Sequence, residues 1–492
     1  MKRYSCRFIL VLALSQLGAQ TEPLQVGSKK FTESVILGEI IRTTLESGEI
    51  PANHRREMGG TRVLWNGLLH GDLDLYPEYT GTLKKEIFRR FSFSHPGQLD
   101  SLLAEHGVRI VARPGFNNTY ALGVKQSTAK TLRLKTISDL TGHPELRLGF
   151  TNEFMDRGDG WPGLRDTYRL PQNDVRGLDH DLAYRGLEAG SIDVIDLYST
   201  DAEIDYYHLS VLRDDQRYFP EYSAVILARE DALERYPKLE TVLGALTGKI
   251  PAERMVAMNS AVKIRQQSEA KVAADFVNRT FRHQVAPPTE TRFDRIWSRT
   301  VEHTWLVLLS LSAAIIIALP LGILAARYSR LGQIVLSVVG VIQTIPSLAL
   351  LVFMIPLFGI GSLPAVIALF LYSLLPIVRN THTGLTTIPA DLRESAFALG
   401  LSSRFRLWVI ELPLALQPIL AGIKTAAVLN VGTATIGALI GAGGYGQLIL
   451  TGIRLDNTGL ILEGALPAAL MAILVQSFFD FLEHRLVSPG LP

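Results

Sequence analysis

The sequence predicts an α/β domain followed by an all-α membrane domain of about five spans, and three observations carry that expectation. From Leu24 to about Pro288, short β-rich stretches alternate with amphipathic helical ones, the rhythm of a domain that layers helices on a sheet. Formal charge then becomes scarce: of 49 Lys and Arg and 47 Asp and Glu, only 15 fall in Val301–Leu482, the composition of a segment solvated by lipid. Thr304–Ala326 and Leu331–Val378 run for 23 and 48 residues without a formal charge. At ~1.5 Å per helical residue, the second run is long enough to cross a ~30 Å hydrocarbon layer twice.

At 492 residues the chain is too long for one ordinary core. A formal charge of +2 offers no basic stripe for nucleic acid and no acidic tail. The single cysteine, Cys6, permits neither a disulfide framework nor a thiolate metal site. The eleven histidines lack H-E-x-x-H or comparable ligand spacing, and no G-x-S-x-G elbow occurs. No G-x-x-x-x-G-K-[ST] loop is present either, since Gly244–Lys249 has the wrong spacing and Ile250 stands where a hydroxyl should hold magnesium. A non-enzymatic chain with no metal or cofactor of its own is therefore expected.

In chain order, Lys2, Arg3 and Arg7 precede the apolar run Phe8–Leu14, and small and polar residues continue to Gln20. Residues 1–20 thus read as a secretory signal or an uncleaved anchor, which would export the α/β domain behind it. Strands are expected at Leu24–Gly27, Arg109–Val111, Tyr120–Val124, Leu146–Phe150, Val194–Tyr198 and Ser223–Ala228, with helices at Glu33–Ser47 and Ala232–Leu246. They can form one large domain or two lobes, with a ligand crevice at the carboxyl ends of the strands. Asp72 and Asp74 alternate as on a solvated strand face. Around Pro287 and Pro288 the chain reads as a linker, drawn over residues 283–300, with the membrane domain over residues 301–485.

The spans expected are Thr304–Ala326, two within Leu331–Val378 that reverse at Gly359–Pro364, Leu414–Ile440 and Leu460–Phe479. If the first domain lies outside, the inner loops hold Arg327, Arg330, Arg379, Arg393, Arg404, Arg406 and Arg485 against Arg454 outside. That bias agrees with an exported N-terminal domain on a multi-pass cytoplasmic (inner) membrane protein. Lys424 lies inside a span, where it must snorkel or face the bundle interior.

Between the third and fourth spans runs Glu394-Ser-Ala-Phe-Ala-Leu-Gly400, followed after nine residues by Ile410-Glu-Leu412-Pro413. This resembles the EAA loop of ABC-importer permeases, with Ser395 as the one departure. The resemblance implies a helix over Asp391–Leu399, a turn at Gly400 and a second helix, and it makes Glu394, Ala396, Gly400, Ile410, Leu412 and Pro413 the coupling loop for a cytosolic ABC ATPase dimer. ATP and magnesium would then be bound by that partner. The glycine-rich Thr433–Gly444 is similar to the outer end of the fourth span in osmoprotectant permeases.

The soluble half resembles the substrate-binding proteins of glycine betaine, choline and carnitine importers. The motifs are Gly27-Ser-Lys-Lys-Phe-Thr-Glu33, Gly71-Asp-Leu-Asp-Leu-Tyr-Pro-Glu-Tyr-Thr-Gly-Thr82, Gly115-Phe-Asn-Asn-Thr-Tyr120, Asp156-Arg-Gly-Asp-Gly160, Asp193-Val-Ile-Asp-Leu-Tyr-Ser-Thr-Asp201 and Phe219-Pro-Glu-Tyr222. The resemblance implies a two-lobed periplasmic-binding-protein clamshell over residues 24–282. One lobe takes residues 24–111 and 209–281, and the other residues 112–208. A quaternary ammonium cannot donate a hydrogen bond, so its site needs aromatic faces. Family cage positions map onto Tyr79, Tyr120, Tyr198 and Tyr222. Thr82 maps onto the pocket threonine that meets the ligand's other end, while Lys30 and Ser34 depart from the usual residues there. Arg157 reads as a structural loop residue.

Together these imply half of a homodimeric ABC importer for small quaternary ammonium compounds, with ergothioneine or another trimethylammonium zwitterion as the alternative cargo. A clamshell sensor or ligand-gated channel is the rival architecture, and it would not need an EAA loop.

Overall fold

The computed structural model describes residues 22–95, 97–287 and 291–487, so the expected secretory segment lies outside the described residues. The strands β1 (Leu24–Gly27), β2 (Ala52–Arg55), β3 (Leu75–Tyr79), β4 (Val108–Ala112), β5 (Tyr120–Lys125), β6 (Leu148–Thr151), β7 (Val175–Leu178), β8 (Val194–Tyr198), β9 (Leu209–Leu212) and β10 (Ala224–Arg229) form two five-stranded sheets. The first has the order β2-β1-β3-β10-β4 and the second β7-β6-β8-β5-β9. In each, parallel pairs come from helical crossovers and one returning strand is antiparallel: β10 against β3 and β4, β5 against β8 and β9. Each sheet is the centre of one lobe.

The chain passes between the lobes twice, after β4 and after β9, and a bridge between Asn117 and Ser223 ties the crossovers together. The border expected at residue 209 is corrected by this topology. Leu209–Leu212 pairs with β5 at the edge of the second sheet, so the return to the first lobe comes after it. Strands β2, β3, β7 and β9 were absent from the expected set, although the Asp72–Asp74 segment leading into β3 read as strand-like. The helix expected at Ala232–Leu246 is instead two short helices, Glu230–Arg235 and Leu239–Gly244, because Pro237 lacks the N–H that a continuing helix needs.

Six helices frame the cleft and its attachment to the membrane: α1 (Thr32–Ser47), α2 (Thr61–His70), α3 (His180–Glu188), α4 (Ala252–Lys263), α5 (Glu269–Phe281) and, leading into the membrane, α6 (Arg292–Arg327). The start of α6 shortens the linker expected over residues 283–300, because the chain is helical from Arg292 onward. Thr291 and Asp294 close a reciprocal capping box, which satisfies the first free N–H groups of a helix. Charged residues in its opening turns had hidden the helix, and they project from the apolar stretch rather than interrupt it.

The remaining helices are α7 (Ser329–Thr344), α8 (Ser347–Phe358), α9 (Ser362–Thr386), α10 (Ala390–Ala398), α11 (Leu416–Thr433), α12 (Tyr445–Arg454) and α13 (Thr458–Leu486). Helices α6, α9, α13 and α11 with its 3-10 continuation to Ile440 are each long and apolar enough to span a membrane; α7 and α8 reach five only as one bent pair. That pair is bent by 99°. Pro346 restricts Ile345 to an extended conformation (ψ 127°), which stops α7. Gly359 and Gly361 then reverse the chain with φ of 73° and 103°, values open to glycine but costly for residues with a Cβ. Lys424 faces the bundle, donating to Asp480 (2.8 Å) and Glu483 (3.4 Å) of α13.

Candidate ligand-binding site

Strand ends and the second crossover bring the four tyrosines to the cleft between the lobes. Tyr79 is the last residue of β3 and Tyr198 the last of β8. Tyr120 opens β5 and lies directly opposite Tyr198 in the antiparallel register. Tyr222 sits in the second crossover, where its N–H donates to Asn117 Oδ1 (2.7 Å) and its carbonyl accepts from the Asn118 N–H (3.1 Å).

The rings form one connected series. Tyr198 lies 5.1 Å from Tyr120 and 5.5 Å from Phe31, centroid to centroid. Phe31 continues to Tyr79 at 6.3 Å, and Tyr120 meets Tyr222 edge-on at 5.6 Å. These spacings are those of interacting aromatic pairs. A Cβ on Gly81 would overlap the Tyr222 ring, so glycine there is what allows the close approach. Two cations of the chain already use the ring faces: Lys29 Nζ is 5.7 Å from the Tyr79 centroid and the Arg157 guanidinium 5.5 Å from that of Tyr120. Arg157 is buried and held by both oxygens of Asp159, which also accepts from Tyr222 Oη. It thus packs against the ring series as well as bracing its loop.

A buried carboxylate ties the cleft together. Glu33 Oε1 accepts from Tyr79 Oη (2.5 Å) and Asn118 Nδ2 (2.8 Å), and Oε2 from Thr200 Oγ1 (2.5 Å) and Asn259 Nδ2 (3.2 Å). Thr200 comes just after β8 in the second lobe while Glu33 and Asn259 stand on α1 and α4 of the first, so the carboxylate links the two lobes. Burial pushes the Glu33 carboxyl up to about 7, against the pull of its hydrogen bonds from Thr200, Tyr79 and Asn259.

Linkage sets the sign of the resulting pH dependence. The folded chain keeps this proton where the unfolded chain has released it, so the Glu33 contribution to stability is fully present below pH 4.5 and is lost as pH climbs through about 7. The fall is on the order of 3 kcal/mol. Glu33→Gln is expected to flatten this slope in denaturant midpoints measured from pH 4 to 8, and an unchanged slope would remove Glu33 as its source.

The other expected site residues are distributed differently. Lys30 is half-exposed and pairs across the cleft with Asp179 at 3.5 Å. It lines a cavity of about 130 Å³ with Phe31, Glu153, His180 and Tyr198, closed on the far side by Leu439, Leu450, Ile453 and Arg454 of the membrane part. Ser34 Oγ accepts the Lys29 N–H (2.8 Å) and closes the loop before α1. Thr82 is buried in the helical turn after Tyr79. Neither lines that cavity. A roomier space of about 970 Å³ lies between the first lobe and the membrane helices; charged groups such as Arg42, Glu39 and Arg295 line it, and no cage tyrosine does. Phe31, Glu33, Asn118 and Thr200 were not singled out as site residues, although each lies in or beside one of the cleft motifs.

Residues 22–279 match the family described as the substrate binding domain of ABC-type glycine betaine transport systems, and residues 318–488 match the binding-protein-dependent transport system inner membrane component. The chain belongs to both families. The osmoprotectant import permease protein OsmW of Salmonella typhimurium is 49% identical over 194 residues, covering 38% of this chain and 88% of that one. The ergothioneine transport permease/ergothioneine binding protein EgtU of Helicobacter pylori is 34% identical over 267 residues, covering 53% and 48%. A solved glycine betaine/carnitine/choline ABC transporter structure is 30% identical, covers 52% of this chain and 99% of that chain, and has a TM-score of 0.45. This glycine betaine-type family member is therefore a substrate-binding domain fused to its permease in an ABC importer. It is a multi-pass inner membrane protein that works in transport rather than catalysis.

Proposed function

We propose that the chain captures trimethylated ammonium compounds of the glycine betaine, choline and carnitine type on the outer side of the membrane and passes them through its own helices. The observation that carries this reading is the ring series Tyr79–Phe31–Tyr198–Tyr120–Tyr222 at the lobe border. Each desolvated face is worth ~2 kcal/mol to a cation that has no N–H to donate. Arg157, Lys30 and the Thr82 hydroxyl lie near the cage in space or sequence and can receive a carboxylate or hydroxyl at the ligand's other end. Ligand contacts to both lobes would close the clamshell.

The power source is a separate ATPase, which would hold the ATP and magnesium, since no phosphate-binding loop of the required spacing occurs in the sequence. The coupling loop supports this. Gly400 ends α10 with φ 69°, and Phe397, Trp408 and Val409 stand exposed around it, an apolar patch suited to a protein groove. Ala396 is buried beneath, and Arg327 holds Glu411 at 3.0 Å. Helix α13 exposes Leu470, Ile473 and Leu474, a face for lipid or for the second copy of a homodimer. The bias of arginines toward the α10 side favours an outward binding domain.

Titration of the full chain in detergent with glycine betaine, choline, carnitine, ergothioneine and glycine tests the cargo. Saturable binding of the methylated compounds and none of glycine is expected. Equal binding of glycine, or none by any methylated compound, would contradict the cage. Tightest binding by ergothioneine would shift the cargo toward the compound named for EgtU.

A further inference from the structure

We propose that Glu33 is the counter-charge of the cage: it gives up its proton as a trimethylammonium group binds, so that cargo capture releases a proton and tightens as pH rises. The inference rests on the proposed cargo class and assigns the charge in the cleft that answers it.

Three of the four hydrogen bonds on this carboxyl come from the cage or its immediate flanks. Tyr79 is itself a cage ring, Asn118 stands two residues before Tyr120, and Thr200 two residues after Tyr198. Asn259 of α4, the fourth donor, also donates to the Thr200 carbonyl (2.9 Å) and so fastens the same turn. Both amides donate to Glu33 although their own buried Oδ1 atoms have no hydrogen-bond partner among the described residues. That orientation suits a negative charge better than a neutral acid. None of the four partners carries a formal charge, so they offer an ionised Glu33 their dipoles and no opposite ion.

The surrounding ionisable groups are tied to one another. Beside β3, Lys29 Nζ donates to Glu78 (2.6 Å) and Thr61 (2.9 Å). In the second lobe Asp201, whose charge opposes ionisation of Glu33, accepts from Tyr184 Oη (2.7 Å) and the Tyr198 N–H (2.8 Å) and is hydrogen-bonded to His180 (3.1 Å). Glu203 pairs with Lys263 of α4 at 2.9 Å. Past Thr32, Arg454 is bound by Glu57 and by Glu269 of α5. Burial holds the Glu33 carboxyl at about 7 in this setting, so near neutral pH it is poised between its two forms. A cation on the Tyr79 face tips that balance. Tyr79 Oη lies 2.5 Å from Glu33, the length of a hydroxyl bonded to a carboxylate, and a phenol so bonded offers a more negative ring face to an ammonium. The ammonium's charge in turn favours the ionised carboxyl. The carboxyl O–H bond breaks, its electron pair stays on the oxygen, and the proton passes toward solvent. A cavity of about 20 Å³ that Glu33 shares with His180, Asp201, Glu203 and Lys263 gives it a polar way out.

The test is calorimetric titration of the full chain in detergent, repeated in buffers of different ionisation enthalpy so that the protons released per cargo bound are counted. A tenfold coupling between proton and cargo corresponds to about 0.4 proton released at pH 7 and to binding about tenfold tighter at pH 8.5 than at pH 5. Glycine betaine and choline should release alike, since the ammonium they share is the trigger. Glu33→Gln, a neutral side chain of the same shape, should keep the weaker wild-type affinity of pH 5 throughout this range and release no proton. His180→Gln should leave the release in place, which separates Glu33 from the imidazole beside Asp201. Binding by the wild type without proton release would overturn the inference, and that measurement needs no variant. Release with glycine betaine alone, release that survives Glu33→Gln, or release lost in His180→Gln would overturn it as well. Absence of binding by any methylated compound would instead overturn the cargo reading, and this inference with it.

Discussion

Replacing Tyr79 and Tyr198 together by alanine is expected to weaken binding of glycine betaine to the full chain by about three orders of magnitude, since two desolvated faces at ~2 kcal/mol each are lost. Tyr198 is central to the ring series, touching Phe31 and Tyr120, so Tyr198→Ala alone should account for more than half of the loss. Tyr198→Phe keeps the face and should stay within a few-fold of wild type. Calorimetric titration checks all three. A double variant that still melts cooperatively and binds as wild type would end the cage account, whereas equal losses in the alanine and phenylalanine variants would assign the effect to the hydroxyl. Tyr79→Phe is a less clean control, because its hydroxyl also holds Glu33 at 2.5 Å.

Reversing the charge at Glu394 is expected to reduce cargo uptake to about a hundredth or less, on the scale of several kcal/mol for a mismatched charge in an interface. Cargo binding by the same variant should be unchanged. Glu394 is exposed on α10 while its neighbour Ala396 packs inward, so Glu394→Lys alters the face the loop presents without disturbing its packing. Uptake and binding measured on one preparation separate the outcomes. Loss of both would mean the loop supports the fold, and loss of neither would mean that Glu394 is not at the coupling surface.

Much of the architecture was legible because it repeats locally. Uncharged runs marked the spans, alternation marked six of the ten strands, and Gly400 marked the break after α10. The features that escaped depend on contacts that no local spacing encodes. Glu57 and Arg454 meet across 397 positions. Strand β9 lies at the edge of the second sheet, and only the pairing assigns it to that lobe. Two others did have local signals: Thr291 and Asp294 form a capping box at the head of α6, and Pro346 lies in the middle of a long apolar run. Charge density concealed the first, and its absence concealed the second.

The placement of the candidate tyrosines was legible in part for the same reason. Tyr79, Tyr120 and Tyr198 occupy strand ends, where side chains meet a cleft, and their motifs preserve that placement. Phe31 and Glu33 lie in the motif that also holds Lys30 and Ser34, yet in sequence an aromatic there reads as core and an acid there reads as the first turn of a helix. The buried partners of Glu33, namely Asn118, Thr200 and Asn259, come from three separated segments, so the interlobe carboxylate emerges only in the folded chain.

A structure of the full chain determined with glycine betaine bound is the most direct measurement. The account predicts the trimethylammonium group within about 6 Å of several of the Phe31, Tyr79, Tyr120, Tyr198 and Tyr222 ring centroids, with its carboxylate toward Arg157, Thr82 or Lys30. Density for the ligand in the charged space between the first lobe and the membrane helices, with those rings empty of it, would contradict it.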